Sequence, residues 1–379
     1  MTAAVSTSPT AHAAASRPAA GTALNLDSLH AWLRPHVPGL PALTGDLRAE
    51  RLVGGQSNPT WVLRAQGGPP AWVLRAKPGP AAQLLASAHA IEREYKVMHA
   101  LAGSDVPVPA VRALCEDESV IGAAFYVMDF VPGRVFREAA IPDVSREERA
   151  ALHDEANRVI AALHRVDWAA AGLEGYGRSD PAYFERMVSR WTRQYRASLQ
   201  PPDLPPLPSM EALIEWLPAH IPAEARSGET RLIHGDYRIE NLLFHPSEPR
   251  VLAVLDWELS TLGHPLSDLA YHCLSWHHAP GVLQGFAGLE LAALGIPSER
   301  AYIERYCERT GRQDLEAGMA HWPFYLACNL FRLSAILLGI GRRVLDGTAA
   351  HPKAREIAAQ AGPVADLGWR LVQDGHRPS

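Results

Sequence analysis

The chain has 379 residues, 47% hydrophobic and 20% charged, with a formal net charge of −5. That length and apolar content can bury a core large enough for two lobes, and the acidic balance argues against a broad basic surface for nucleic acid. Four cysteines, Cys115, Cys273, Cys307 and Cys328, form no C-x-x-C pair and read as reduced thiols of a cytoplasmic protein.

Residues 1–24 are rich in Ala, Ser, Thr and Pro and lack a basic segment followed by an apolar one, so a disordered tail is expected rather than a secretory signal. Residues 25–36 predict a helix with Leu26, Leu29, Trp32 and Leu33 on one face. The pattern then shifts to antiparallel strands at Leu52-Val53, Thr60–Leu63 and Trp72–Arg75. The turn between the first two contains Gly55, Ser57 and Asn58. Glycine there lets backbone N–H groups approach phosphates, although a plain hairpin turn fits the same residues. Residues 83–102 predict a helix on Leu84, Ala88, Ile91, Tyr95 and Met98. Glu94 lies on its shoulder, either as a solvated acid or facing a cation on the preceding strand. An apolar strand, Ala123–Val131, ends at Pro132-Gly133, the natural hinge to a second, helical lobe.

Ser145-Arg-Glu-Glu148 is a capping box before the stripe Leu152, Ala156, Val159 and Leu163. Residues 181–198 predict a helix rich in Arg and aromatics, and Gln200–Pro208, with five prolines, a linker. A short helix is expected over 211–217, a hairpin from 242–244 and 251–255, and mainly helix from 266 onward. The most apolar stretch, Phe324–Ile340, carries Asn329 and Arg332 and is short for a bilayer span, so a buried helix is expected and no membrane role.

The stretch His234-Gly-Asp-Tyr-Arg-Ile-Glu-Asn241 carries the chemistry, together with Asp256 at the end of the apolar run Val251–Leu255. Phosphoryl transfer needs a metal-bound nucleotide and an acceptor hydroxyl held in line beside a base. Asp236 and Asn241 have the D-x-x-x-x-N spacing of a base and a metal-binding amide, and a carboxylate at 256 can reach Mg²⁺. Any one aspartate could be a cap or turn residue; the set points to phosphoryl transfer. Eleven positions separate Asp256 from Asp268, and no A-P-E marker follows. That leaves no peptide-docking activation segment and favours small-molecule acceptors.

These residues resemble the aminoglycoside phosphotransferase family, a branch of the protein-kinase-like fold that phosphorylates small molecules, from about Leu52 to Leu345. Within it the chain looks most like the phosphotransferase domains that some proteins fuse to acyl-CoA dehydrogenases. The residues behind this are Gly54–Thr60, Val73–Pro78, Ala88–Tyr95 and His264–Ala270. The resemblance implies an α+β, two-lobed fold. An N-terminal nucleotide-binding lobe would span 25–131 and a catalytic and acceptor-binding lobe 132–379. It implies Mg²⁺ and ATP or GTP. Asp236 would be the base, Asn241 and Asp256 the metal ligands, His234 a support, and Asp268 structural. Glu94 would pair with a strand cation that touches phosphates. Met128 to Val131, with Asp129, would read the nucleotide base through backbone groups.

The chain departs from the family pattern at two places. The strand cation is Arg75 or Lys77, which share a face, with Arg75 preferred by register. The metal motif reads Asp-Trp-Glu, so Glu258 is either a further acid near the metal or a loop brace. Trp191, Tyr195, Trp216, Trp276, Trp322, Phe324, Tyr325 and Arg332 are candidate acceptor walls. The resemblance points to a hydroxyacyl acceptor, including its CoA thioester. Alternatives are an antibiotic (aminoglycoside or macrolide) or amino-alcohol kinase, and an inactive nucleotide-binding pseudokinase. A zinc site at His272, Cys273, His277 and His278 lacks an H-E-x-x-H or C-x-x-C framework.

Overall fold

The computed structural model describes residues 24–37, 46–52, 58–78, 90–200, 204–226, 228–281, 283–313, 319–349 and 352–376. Gly55, Ser57, residues 83–89 of the expected 83–102 helix and nearly all of the expected tail lie outside these residues.

The small lobe is an antiparallel sheet of β1 (Leu47–Arg51), β2 (Thr60–Ala65), β3 (Trp72–Ala76), β4 (Val111–Cys115) and β5 (Phe125–Asp129), in the order β1-β2-β3-β5-β4. Strand alternation sorts its two faces. Leu63, Leu74, Phe125 and Val127 pack with Leu29 and Leu33 of α1 (Leu26–His36) in one small core. Asn25 caps that helix, accepting from the Ser28 amide at 3.1 Å. The residues between, Arg75 and its cross-strand partner Tyr126, face the other way. There α2 (Ile91–Leu101) buries Ile91, Val97, Met98 and Leu101 in the core of the large lobe.

The large lobe is helical: α3 (Arg146–Arg165), α4 (Tyr183–Ser198), α5 (Pro208–Ala219), α6 (Pro265–Cys273), α7 (Leu291–Leu294), α8 (Glu299–Thr310), α9 (Trp322–Leu345), α10 (Ala354–Ala358) and α11 (Ala361–Gln373). Ser145 caps α3, accepting from the Glu148 amide at 3.1 Å, as the capping box implies. The expected hairpin is β8 (Leu242–Phe244) with β9 (Val251–Val254), extended by β6 (Arg134–Val135). A further ladder joins β7 (Arg231–Ile233) to β10 (Thr261–Gly263). Helix α5 starts three residues earlier than expected, because Pro208 suits the first helical turn. Helix α9 is long and apolar enough to cross a membrane, yet 78% of its most apolar window is buried inside the lobe, as in a core helix.

The carboxylate of Glu299, at the start of α8, collects His277 (3.0 Å), His376 beyond α11 (3.3 Å) and the Trp322 indole N–H (2.9 Å). Burial alone would raise this carboxyl, but the two histidines and the indole outweigh it and hold it at about 2. A depressed folded pKa stabilises above the ordinary carboxylate range and loses that contribution as pH falls. Between about pH 4.5 and 2 the native protein should therefore lose on the order of 3 kcal/mol from this group. Chemical denaturation over that range should show a shallower pH dependence for Glu299→Gln than for the native chain; equal slopes would exclude this account.

Candidate active site

The loop between β7 and β8 is fixed from beneath by one buried carboxylate. Asp268, on α6, accepts the His234 and Gly235 amides, each at 2.8 Å. His164 lies 3.2 Å from the same carboxylate, and its other ring nitrogen meets the Tyr306 hydroxyl at 2.7 Å. Burial opposes ionisation of Asp268, but these donors win and hold it below the usual carboxylate range. Gly235 has φ +80°, and a Cβ there would sit 2.5 Å from the Leu259 carbonyl, so only glycine fits without a shift. The Leu255 carbonyl accepts from His234 Nε2 at 2.9 Å, which leaves Nδ1 to accept the Asp236 amide at 3.2 Å. Those two bonds define one neutral tautomer of His234.

Asp236 presents a carboxylate held at both oxygens. Asn241 Nδ2 donates to Oδ2 at 2.9 Å and to the Asp236 carbonyl at 2.8 Å, while the Tyr271 hydroxyl donates to Oδ1 at 2.6 Å. Arg238 stands 3.5 Å from Oδ2 and pairs with Glu240 at 2.8 Å. The Leu255 amide donates to the Asn241 carbonyl at 2.8 Å, so the segment leading to Asp256 is tied to the same loop. Asp256 itself has φ +65°, a left-handed conformation that is strained for a residue with a side chain. Trp257, buried, holds the turn by packing its ring 4.8 Å from that of His234.

From the small lobe, Arg75 reaches this loop. Its Nε lies 2.9 Å from Glu94 Oε2, and a terminal nitrogen lies 2.6 Å from Asp256 Oδ1 and 3.7 Å from Glu258. Glu94 is 1% exposed and also accepts from Asn58 (2.7 Å) and Tyr126 (3.0 Å). Burial pushes the Glu94 carboxyl up, while Arg75 pulls it down. Glu94 and Asp256 together overcome the burial of Arg75 and hold it firmly cationic. Arg75 therefore meets Glu94, whereas Lys77, just past the end of β3, pairs with the half-buried Glu92. Asn58 is buried against Glu94. Asp129 gives its carboxylate to Arg112 (2.7 Å) and its amide to the Ala110 carbonyl (2.9 Å), and Val131 is half-buried just after it.

Arg332 of α9 donates to the Gly235 carbonyl at 2.6 Å and lies over the rings of Tyr271 (5.1 Å) and Trp191 (5.8 Å). Of the eight candidate acceptor walls, Trp191 and Arg332 line a cavity of about 620 Å³ beside Gly235. Tyr195, Trp276, Trp322, Phe324 and Tyr325 are core residues, and Trp216 packs against that core. His272, Cys273 and His278 are buried too, while His277 turns to Glu299. Sequence reasoning did not single out Tyr271 or Arg238; the visible signal was Tyr271 standing one helical turn after Asp268.

A sequence profile of the Phosphotransferase enzyme family matches residues 48–320. Acyl-CoA dehydrogenase family member 11 of Gallus gallus is 42% identical over 348 residues, which are 91% of this chain and 43% of that protein. The chain spans less than half the length of the curated relatives it matches, down to 30% for family member 10 of Mus musculus. A solved Ralstonia eutropha protein, provisionally described as an aminoglycoside phosphotransferase, is 50% identical with a TM-score of 0.82, covering 93% of this chain and 99% of its own. Choline kinase from Cryptosporidium parvum, 12% identical with a TM-score of 0.64 over 92% of this chain and 97% of its own, shares the kinase-like fold. So does APH(2″)-IIa, solved with streptomycin and ATP, at 14% identity and a TM-score of 0.55, over 90% of this chain and 99% of its own.

The two strand cations should differ in thermal melts. Arg75→Ala leaves the Glu94 carboxylate buried without its cation, which costs about 3–5 kcal/mol. Lys77→Ala removes a half-exposed pair worth about 1 kcal/mol or less. Equal losses would contradict the buried-pair assignment.

Proposed function

This chain belongs to the phosphotransferase enzyme family, and we propose that it transfers the terminal phosphoryl group of ATP or GTP to a hydroxyl of a small molecule. The observation that carries this reading is the convergence of Asp236, Asn241, Asp256 and the Arg75–Glu94 pair from four separate segments. In this reading Asp236 takes the proton of the attacking hydroxyl as the O–P bond forms. Arg75, fixed by Glu94, neutralises phosphate oxygens. The backbone just past β5 meets the base at Val131, since the amides of Asp129 and Phe130 already bond the Ala110 and Ala71 carbonyls.

The donor set fits Mg²⁺, a hard cation that prefers oxygen. Asn241 spends its Nδ2 on Asp236, which turns its carbonyl oxygen to the remaining role, and Asp256 adds a carboxylate tied to it through Leu255. Held by Asn241 and Asp256, Mg²⁺ would supply positive charge against the nucleotide phosphates. The residues' own part is to hold its two ligands and Asp236 in one rigid frame.

For the acceptor we propose an anionic hydroxyacyl compound, including its CoA thioester. The cavity beside Gly235 is lined by Arg178, Arg186, Arg190, Arg193 and Arg332, against one acid, Glu185. That acid is itself paired with Arg226 at 3.1 Å. Arg186, Arg190 and Arg193 recur at steps of four and three along α4, a like-charge arrangement that weakens a helix by a few tenths of a kcal/mol per pair. Burial and the neighbouring Arg332 and Arg193 push the Arg190 guanidinium below its ordinary range. A ligand carrying phosphates would relieve this repulsion through charge-assisted hydrogen bonds. The same arginines disfavour cationic aminoglycosides and amino alcohols, and the intact Asp236, Asn241 and Asp256 disfavour a pseudokinase.

Asp236→Asn should lower turnover by roughly 10²–10⁴-fold with Mg-nucleotide affinity nearly intact; normal turnover would remove Asp236 from the mechanism. Asp256→Ala should chiefly weaken Mg-nucleotide binding, read by titration at varied Mg²⁺. In a nucleotide-consumption screen over hydroxy acids, hydroxyacyl-CoAs, amino alcohols, macrolides and aminoglycosides, the hydroxyacyl-CoAs should respond. For them the Arg190→Gln, Arg193→Gln pair should raise KM by roughly tenfold, the scale of one lost charged hydrogen bond. Turnover confined to the antibiotics would overturn the acceptor assignment.

A further inference from the structure

We propose that Tyr271 is a positioning residue for Asp236, setting the plane in which its carboxylate meets the acceptor hydroxyl; this rests on the phosphoryl-transfer reading above. The phenol donates to Asp236 Oδ1 at 2.6 Å, the usual length for a hydroxyl on a carboxylate, while Asn241 holds Oδ2 at 2.9 Å. A carboxylate gripped at one oxygen can still rotate about its Cβ–Cγ bond; gripped at both, it cannot. Transfer to a hydroxyl depends on that orientation, because misplacement by about 1 Å can cost on the order of 10²-fold in rate.

The delivery of Tyr271 is built into α6. Asp268 and Tyr271 stand three residues apart on that helix, so they share a face. Asp268 takes the backbone amides of His234 and Gly235, and Tyr271 takes the side chain of the next residue, Asp236. One helical turn thus grips three consecutive residues of the loop. The Tyr271 ring is held in turn by the Arg332 guanidinium, 5.1 Å above it, which also donates to the Gly235 carbonyl at 2.6 Å. Burial, with the Asp236 charge beside it, pushes the phenol above its ordinary range, so it stays a donor at working pH. Tyr271 also faces a cavity of about 660 Å³, together with Arg238, Ser275 and His278. Tyr271 is thus not wholly enclosed by protein, and its role is not confined to filling the core.

Tyr271→Phe removes the hydroxyl and keeps the ring, its packing and its contact with Arg332. ADP release from Mg·ATP is the readout, with water as acceptor and with the hydroxyacyl-CoA panel. The substitution should lower kcat by roughly tenfold or more, with KM for Mg·ATP and the melting temperature nearly unchanged. The decisive measurement is the double variant Asp236→Asn, Tyr271→Phe. If Tyr271 acts through Asp236, the pair should be no slower than Asp236→Asn alone. Wild-type kcat for Tyr271→Phe, or losses that multiply in the double variant, would overturn the proposal. Normal activity of Asp236→Asn would instead remove Asp236 as the base, the part of the phosphoryl-transfer reading on which this proposal rests.

Discussion

One guanidinium joins the two halves of this site. Arg75 leaves a central strand of the small lobe and meets Glu94 on α2 and Asp256 at the end of β9 within a few ångströms. The Arg75–Glu94 pair lies largely out of water, where an ion pair is stabilising only if each charge is matched and each remaining lone pair is bonded. The surroundings meet that condition: Asn58 and Tyr126 complete Glu94. The result constrains the sheet register, since Tyr126 reaches Glu94 only while it stands opposite Arg75. A one-residue slip of either strand would send its own residue, Arg75 or Tyr126, to the apolar face packed on α1.

The large lobe answers with a second buried anion. Asp268 holds backbone amides, so its effect is on loop shape and not on net charge at the reacting centre. Because the left-handed Gly235 is pressed against Leu259, the loop has little freedom to relax elsewhere. The left-handed Asp256 is its counterpart: strain retained at a position whose side chain meets Arg75. Both distortions are held by bonds from neighbouring elements, His234 to Leu255 and Leu255 to Asn241.

What the sequence disclosed follows from how local each signal is. His234, Asp236, Asn241 and Asp256 sit in short, fixed spacings next to strands with clear apolar runs, so their convergence was legible, as was the Ser145 cap. Strands β6, β7 and β10, two or three residues each, are too short to show a period of two. Arg75 and Lys77 were ambiguous because alternation puts both on one face; the end of β3 at Ala76 separates them. Tyr271 looked like one more aromatic in an apolar helix, and only tertiary packing sets its hydroxyl on Asp236. Most of the aromatic acceptor walls turn inward for the converse reason: rings at helical spacing usually fill cores, and five of the seven do.

The arginines of α4 carry a different kind of evidence. Their helix would be more stable with alternating signs, and the acid pairs found elsewhere on the surface, such as Arg300 with Glu304 at 2.8 Å, show that this chain uses such pairing. Arg186 does find Asp180, but among the described residues no acid pairs with Arg190 or Arg193. A local cost kept without a local return is what a binding surface looks like before its ligand arrives. On the proposed reading the reaction type and the acceptor are set in different parts of the fold. The first lies in a loop whose geometry is over-determined by Asp268, Asn241 and Tyr271. On the same reading the second lies on the face of α4 that carries Arg190 and Arg193, where a change redirects the acceptor without disturbing the loop.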